Sequence, residues 1–224
     1  MATLHVLRVF VNEEGEFGNP LGVFLDGDDV PAERRQAVAA ELGYSETVFV
    51  DDRERGEMRI FTPGVELPFA GHPSVGTAWL LREQGEEVTA LRPPAGELGV
   101  RFEESETFIS ADPAWSPPFE FVEFSEPAEV RALDGPPGMG DEVYAWAWID
   151  QAAGTIRARS FGPGVGIAED EATGSAALTL SAQIGREITI HQGQGSVLTA
   201  RPLEDGRAEV GGRVVLDEER EFAL

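Results

Sequence analysis

One seven-residue pattern occurs twice, 100 residues apart, and it restricts the possible folds more than any other feature. Arg59-Ile60-Phe61-Thr62-Pro63-Gly64-Val65 and Arg159-Ser160-Phe161-Gly162-Pro163-Gly164-Val165 share the form Arg-x-Phe-x-Pro-Gly-Val. Each copy reads as a strand entering a Gly/Pro turn, followed by small and apolar residues that suit a helix. Further on the offset narrows to 98, so that Gly76-Thr77-Ala78 aligns with Gly174-Ser175-Ala176 and His72 falls opposite Asp170. A period near half of the 224 residues indicates a duplicated domain. Solenoid arrays repeat instead every 20–50 residues or so. A recurrent strand-to-turn solution would explain the seven-residue match but not the later Gly-Ser/Thr-Ala match. Two similar halves with their loops facing would enclose a cleft, a common place for a small-molecule site.

Composition removes several classes of function. There is no cysteine, which excludes disulfides, thiolate metal sites and a cysteine nucleophile. All 17 basic side chains are arginine, so neither a pyridoxal Schiff base nor a P-loop lysine is available. The net charge of −24 argues against nucleic acid and against an anionic membrane surface. No run of eighteen apolar residues is present, and the N-terminus enters strand-like alternation without the regions of a signal peptide. A cytoplasmic location is the default expectation. A small anionic metabolite remains an acceptable partner if local donors such as helix N-termini hold it.

Periodicity and punctuation predict strands at 4–11, 21–25, 48–50 and 58–61, with helices over 31–42 and 74–85. A hairpin follows at 96–102 and 107–109. The stretch 111–137 is broken by Asp-Pro, Pro-Pro and Gly-Pro-Pro, and the domain boundary is expected near its start. Strands are predicted at 144–149 and 155–161, then a helix over 173–184. Short strands at 187–191, 197–201, 208–210 and 213–216 are separated by glycine turns, and residues 218–224 form a tail. Strands that come in hairpins, with one strongly apolar helix per half, suit a sheet wrapped round a central helix.

Few side chains stand out as reactive. His5 and His191 lie in or at the end of strands and read as structural. His72, in Ala-Gly-His-Pro, gains weight from its place in the repeat. Glu46 precedes Val48-Phe49-Val50, where partial desolvation would raise its pKa and suit it to proton transfer. It could equally cap a turn. Glu169-Asp170-Glu171 precedes a helix, where acids meet a favourable dipole, and one of them could line the cleft. No Gly-x-Ser-x-Gly elbow is present, and Gly162-Pro163-Gly164-Val165-Gly166 lacks dinucleotide spacing.

Taken together, four motifs resemble the phenazine-biosynthesis PhzF family. They are Phe17-Gly18-Asn19-Pro20-Leu21, Ser45-Glu46-Thr47, Arg59-x-Phe-Thr-Pro with Glu66-Leu67-Pro68-Phe69-Ala70-Gly71-His72-Pro73, and Glu169-Asp170-x-Ala172-Thr173-Gly174-Ser175-Ala176. The resemblance implies an α+β, diaminopimelate-epimerase-like fold: two pseudo-symmetric domains, each a barrel-like, mostly antiparallel sheet around a central helix. The expected domains are 1–106 and 107–216, with 217–224 returning to the first and the site in the cleft between them.

The resemblance also implies a cofactor-independent isomerase with no metal, acting by general acid/base proton transfer on a small carboxylated metabolite. Alternatives are a non-catalytic small-molecule binding protein of the same fold and a lyase that starts from the same proton abstraction. Glu46 matches the family's proton-transferring glutamate, His72 its histidine, Asp170 its aspartate and Ser175 its serine. Substrate binding is expected at Asn19, Gly71, Gly76, Thr77, Thr173, Gly174 and Ser175, with carboxylate-binding helix starts near Gly76-Thr77 and Gly174-Ser175. The paired cysteines of the related epimerases are missing. Glu171 stands where proline is commoner, the second half is short for the family, and dimerisation is common in it.

Overall fold

The computed structural model describes residues 1–165 and 167–224. The first half runs β1 (Ala2–Val11), β2 (Asn19–Phe24), α1 (Ala32–Leu42), β3 (Glu46–Asp52), β4 (Glu57–Phe61), β5 (Glu66–Leu67), α2 (Gly71–Glu83), β6 (Ala90–Leu91), β7 (Leu98–Glu103) and β8 (Glu106–Ala111). The second runs β9 (Glu120–Glu123), α3 (Pro127–Arg131), β10 (Val143–Asp150), β11 (Thr155–Gly162), β12 (Ile167–Asp170), α4 (Gly174–Ile184), β13 (Ile188–Gln192), β14 (Ser196–Pro202) and β15 (Ala208–Phe222).

The same order of pairings occurs twice. β2 lies parallel to β3 and β9 parallel to β10, with a short helix on the way between them. β3-β4-β5 and β10-β11-β12 are antiparallel runs that lead into α2 and α4. A parallel bridge joins Glu57 to Arg92, and a parallel ladder joins β11 to β13. The antiparallel runs β6-β7-β8 and β13-β14-β15 follow. The repeated arginine has the same task in each copy. Arg59 bonds to Glu66 on the returning strand, and Arg159 grips Glu169 with two hydrogen bonds of 2.7 Å.

Separate sheets for the two halves are not what forms. Hydrogen bonding runs without a break through 15 strands. The cause is β15, which was expected as two short strands and a tail. It is one strand of 15 residues. Its first part pairs with β8 and β14, and from Arg213 onward it pairs with β1 as far as Phe222. Gly211 and Gly212 are strand residues rather than a turn. The rings of Phe108 and Phe10 occupy the space where their side chains would stand, the close approach that glycine inside a strand often marks.

α2 and α4 are buried nearly all round in their first halves, as expected of central helices that are apolar on every side. One apolar cluster takes in Val75, Ala78 and Leu81 of α2 together with Ala176, Ala177 and Leu180 of α4. α1 covers a second cluster with Phe24, Phe49 and Phe222, and α3 covers a third with Ala145 and Phe161. Sequence pattern missed β9 and α3, because the prolines of 111–137 look like linker. Pro127 in fact lies in the first turn of α3, where its missing N–H costs nothing.

Candidate active site

Of the two central helices, α4 begins within one residue of the expected 173 but α2 begins earlier than expected, and this decides the geometry. α2 starts at Gly71, three residues before the predicted start at 74, so His72 lies in its first turn. α4 starts at Gly174. The two starts face each other with backbone against backbone. A Cβ on Gly71 would lie 2.7 Å from the carbonyl carbon of Gly174 and 2.8 Å from the nitrogen of Ser175. The helix starts are therefore 103 residues apart, not 98. His72 corresponds to Ser175, and the expected match of His72 with Asp170 is corrected.

Gly76 and Thr77, placed near a helix start from the sequence, lie in the second turn. Gly76 meets Leu21 and Val9, and Thr77 is fully buried. Neither lines the cavity described below.

Neither helix carries a side-chain N-cap. Their first N–H groups have no acceptor inside a helix, and residues at both starts border a cavity of about 260 Å³. Glu46 from β3, Ala70 before α2, Asp170 at the end of β12, and Thr173 and Ser175 at the start of α4 line it. Trp115, Pro117 and Phe119 from the 113–119 crossing segment form an apolar wall with Leu67, Pro68 and Phe69. Glu142, just before β10, completes the lining. No arginine or other cationic side chain is among the lining residues.

The titratable groups are poised by burial. Glu46 is pushed up to about 7, mainly because its carboxyl is desolvated, with Ser45 opposing. His72 is pushed down to about 4 by burial, against the pull of Asp170 and of a hydrogen bond to the Pro20 backbone. Proline offers only a carbonyl, so a ring N–H of His72 donates there. The Nε2 of His72 has no hydrogen-bond partner and lies 3.4 Å from an equally unpartnered Oε2 of Glu46. His72 thus stands behind Glu46 rather than in the cavity wall, with its free lone pair toward the carboxyl.

Asp170 is raised to about 6 by burial and by Glu46, while His72, Thr173 and Asn19 oppose the shift. Asn19 donates to Asp170 Oδ1 at 2.7 Å and to the Ala172 carbonyl at 2.9 Å. Ser45 donates to Asn19 Oδ1 at 3.1 Å. Thr173 Oγ1 donates to Asp170 Oδ2 at 2.6 Å. Asn19 is thus a buried strut between the halves rather than part of the cavity wall.

Three features lay beyond sequence reasoning. Gln192 donates to the Asp170 carbonyl and to Thr173 Oγ1, accepts from the Thr173 N–H, and is held by the Tyr144 hydroxyl. Glu142 joins the cavity lining from just before β10. Glu171 turns away from the cavity and accepts from the N–H of Gln194 and the hydroxyl of Ser196, tying the approach to α4 to the β13–β14 turn. Among the described residues, no group of three His, Cys, Asp or Glu side chains is placed to hold a metal ion. No helix among them is long and apolar enough to cross a membrane.

The profile of phenazine biosynthesis-like proteins matches residues 7–132. The chain is 32% identical to trans-2,3-dihydro-3-hydroxyanthranilate isomerase of Pseudomonas aeruginosa, over 84% of this chain and 82% of that one. It belongs to the PhzF family. A solved PhzF-family protein from Enterococcus faecalis has a TM-score of 0.76 at 21% identity, covering 100% of this chain and 99% of that one. A hydroxyproline epimerase from Agrobacterium vitis has a TM-score of 0.61 at 12% identity, covering 98% and 91%. At those identities the likeness concerns the fold. For a PhzF chain, the mixed sheet with few helices is the family architecture.

Proposed function

We propose that this PhzF-family chain is a cofactor-independent isomerase that moves a proton between carbons of a small carboxylated metabolite, with Glu46 as general acid and base. The observation that carries the proposal is a carboxyl poised near pH 7 in a cavity where two uncapped helix starts meet. Ionised Glu46 breaks a C–H bond and keeps the proton. The electron pair spreads into the conjugated carboxylate, and Glu46, whose carboxyl proton exchanges with solvent before it is returned, delivers a proton at another carbon. The N–H groups at the starts of α2 and α4 face the carboxylate as its charge grows, the geometry that favours a transition state over a ground state. His72 acts through Glu46 as a positioning residue, while Asp170, Thr173 and Ser175 hold the polar groups of the substrate.

The finer architecture belongs to the same proposal. Residues 1–106 and 107–216 form two pseudo-symmetric halves, each wrapping its own strands of the one continuous sheet round its helix, with 217–224 returning to the first. The doubled order of pairings supports it. An overlay of the halves that fails to bring α2 onto α4 together with β4 onto β11 rejects it.

The test uses trans-2,3-dihydro-3-hydroxyanthranilate, the compound named in the relatives' activity, in deuterated water. Wild type should return isomerised product carrying deuterium at unchanged overall composition. Deuterium with loss of a leaving group indicates a lyase, and neither isomerised product nor exchange indicates a binding protein. Glu46→Gln should lower exchange by roughly two to four powers of ten. Exchange at the wild-type rate in that variant removes Glu46 as the base.

A further inference from the structure

On the outer face of the second half, a group of donors is left without acceptors. Arg157 on β11 lies beside His191 on β13 in the parallel ladder, and the residues flanking both are buried, so the two side chains share the face turned away from the core. Arg131, the last residue of α3, reaches the same place. With Ile149, Gln194 and Gly195 these residues line an open cavity of about 440 Å³, and none of them is acidic. The Arg157 guanidinium is half-buried and donates to the carbonyls of His191 and Gly193, but its Nε is buried without a partner. Among the described residues, the side chains of Arg131, His191 and Gln194 have no hydrogen-bond or ionic partner. Burial and the two arginines hold His191 below the ordinary histidine range. Glu171 and Glu169 are the acids that act on Arg157, yet the first is held by the β13–β14 turn and the second by Arg159. Other arginine-lined cavities on this chain of net charge −24 contain their own acids. Arg101 and Arg201 meet Glu103 and Glu187, and Arg59 and Arg92 meet Asp51 and Glu57.

We propose that this cavity is a binding site for an oxyanion of the phosphate class, held by Arg131, Arg157, His191 and Gln194. A half-buried guanidinium without a counter-charge is costly, and a bound anion removes that cost. The donors reach the cavity from α3, β11, β13 and the turn after β13. A tetrahedral anion with two charges and several acceptor oxygens satisfies such a set better than a planar carboxylate, and its bonds to guanidinium are charge-assisted. Exposed Ile149 offers apolar contact to the organic part of a phosphate monoester. The cavity shares no lining residue with the one between α2 and α4, so the proposal is independent of the function proposed above.

The test adds sodium sulfate at constant ionic strength and follows, by nuclear magnetic resonance, the three imidazoles and the amides of Gln194 and Gly195. Sulfate stands in for phosphate because its charge stays constant over the pH range used. His191 and the two amides should shift saturably. A bound anion favours the imidazolium, so the His191 midpoint should rise and binding should tighten as pH falls from about 7.5 to about 5.5, through the histidine range. The charged groups around His191 are Arg157 on β11 and Arg131 on α3, with Glu169 and Glu171 acting on Arg157. His191→Asn, which also assigns the imidazole signal, should remove most of that pH dependence. Arg131→Gln, at an exposed position, should weaken sulfate about tenfold, the loss of one charge-assisted hydrogen bond. Arg34→Gln, at an exposed position on α1, should bind sulfate as wild type does. Inorganic phosphate and phenyl phosphate then distinguish the sources. Tighter binding of phenyl phosphate assigns the site to a monoester, and equal or weaker binding assigns it to free phosphate. The proposal is overturned if His191 and the two amides do not shift, or if only His72 responds. It is also overturned if Arg131→Gln binds like wild type, if Arg34→Gln loses as much, or if sulfate binds and neither phosphate does.

Discussion

At the scale of single residues, the site is a set of groups kept from their ordinary charge. Glu46 and Asp170 are raised to about 7 and about 6, so the folded state favours their protonated forms. The stability they contribute is complete below their ordinary values and is lost as pH rises through the raised ones. His72, lowered to about 4, acts in the opposite sense and costs stability as pH falls below 6.5. Two carboxyls outweigh one imidazole, so the pocket becomes less stable as pH climbs from about 4.5 to about 7. Glu46→Gln should therefore stabilise the protein at pH 8.5 by on the order of 2 kcal/mol and gain almost nothing at pH 4.5. Urea unfolding at both values checks this. An equal effect at the two would mean that Glu46 is not desolvated. Glu46, His72 and Asp170 stood out in the sequence through their motifs, and the fold brings the three together. Glu142 and Gln192 did not, since nothing local separates them from other surface acids and amides.

The decisive elements are the two helix starts. Gly71 has ordinary backbone angles, so its need for glycine comes from contact and not from φ. Alanine there would drive a Cβ into the backbone of Gly174 and Ser175, which cannot rotate aside. Gly71→Ala should cost about 1–3 kcal/mol, the usual range for overpacking, and should push the two helix starts apart. Gly76→Ala meets only the methyl ends of Leu21 and Val9 at 2.6 and 2.8 Å, which can repack. Its cost should be smaller, and part of it is offset by alanine's advantage of about 1 kcal/mol over glycine in a helix. Thermal melts of the two variants, with anion titration into each, provide the comparison. Gly71 milder than Gly76 would contradict the geometry. Both helices were legible from their small, apolar composition. Their facing starts were not, because the contact joins residues 103 positions apart.

Over the whole molecule, β15 binds the halves together. Its last residues pair with Ala2 and Thr3, and Phe222 packs edge-on against Phe24 with ring centroids 5.8 Å apart. Phe222 is only 6% exposed. Phe222→Ala should destabilise the protein by about 3 kcal/mol, the low end for a buried phenylalanine. One cooperative transition by fluorescence and by circular dichroism would show that loss at the C-terminus is felt by both halves. Two separate transitions would instead show that the halves unfold independently. The charge of −24 is also a whole-molecule property, which favours compact folding less as salt is withdrawn. The melting temperature should therefore rise between 10 mM and 500 mM sodium chloride, as screening shortens the reach of repulsion.

By itself, the sequence determined the repeat, both central helices, most of the strands and the excluded chemistries, because each is written in local spacing or in composition. The Arg-x-Phe-x-Pro-Gly-Val copies placed β4 and β11, and Gly43 and Gly185 placed the ends of α1 and α4 in the left-handed conformation that glycine allows. Tertiary structure alone decided which helix turns face the cavity, that His72 stands behind Glu46, and that Glu142 joins them. It alone made β15 a single strand shared by both halves. The reason is physical: strand pairing and desolvation depend on partners remote in the chain, and neither leaves a mark in the neighbouring residues.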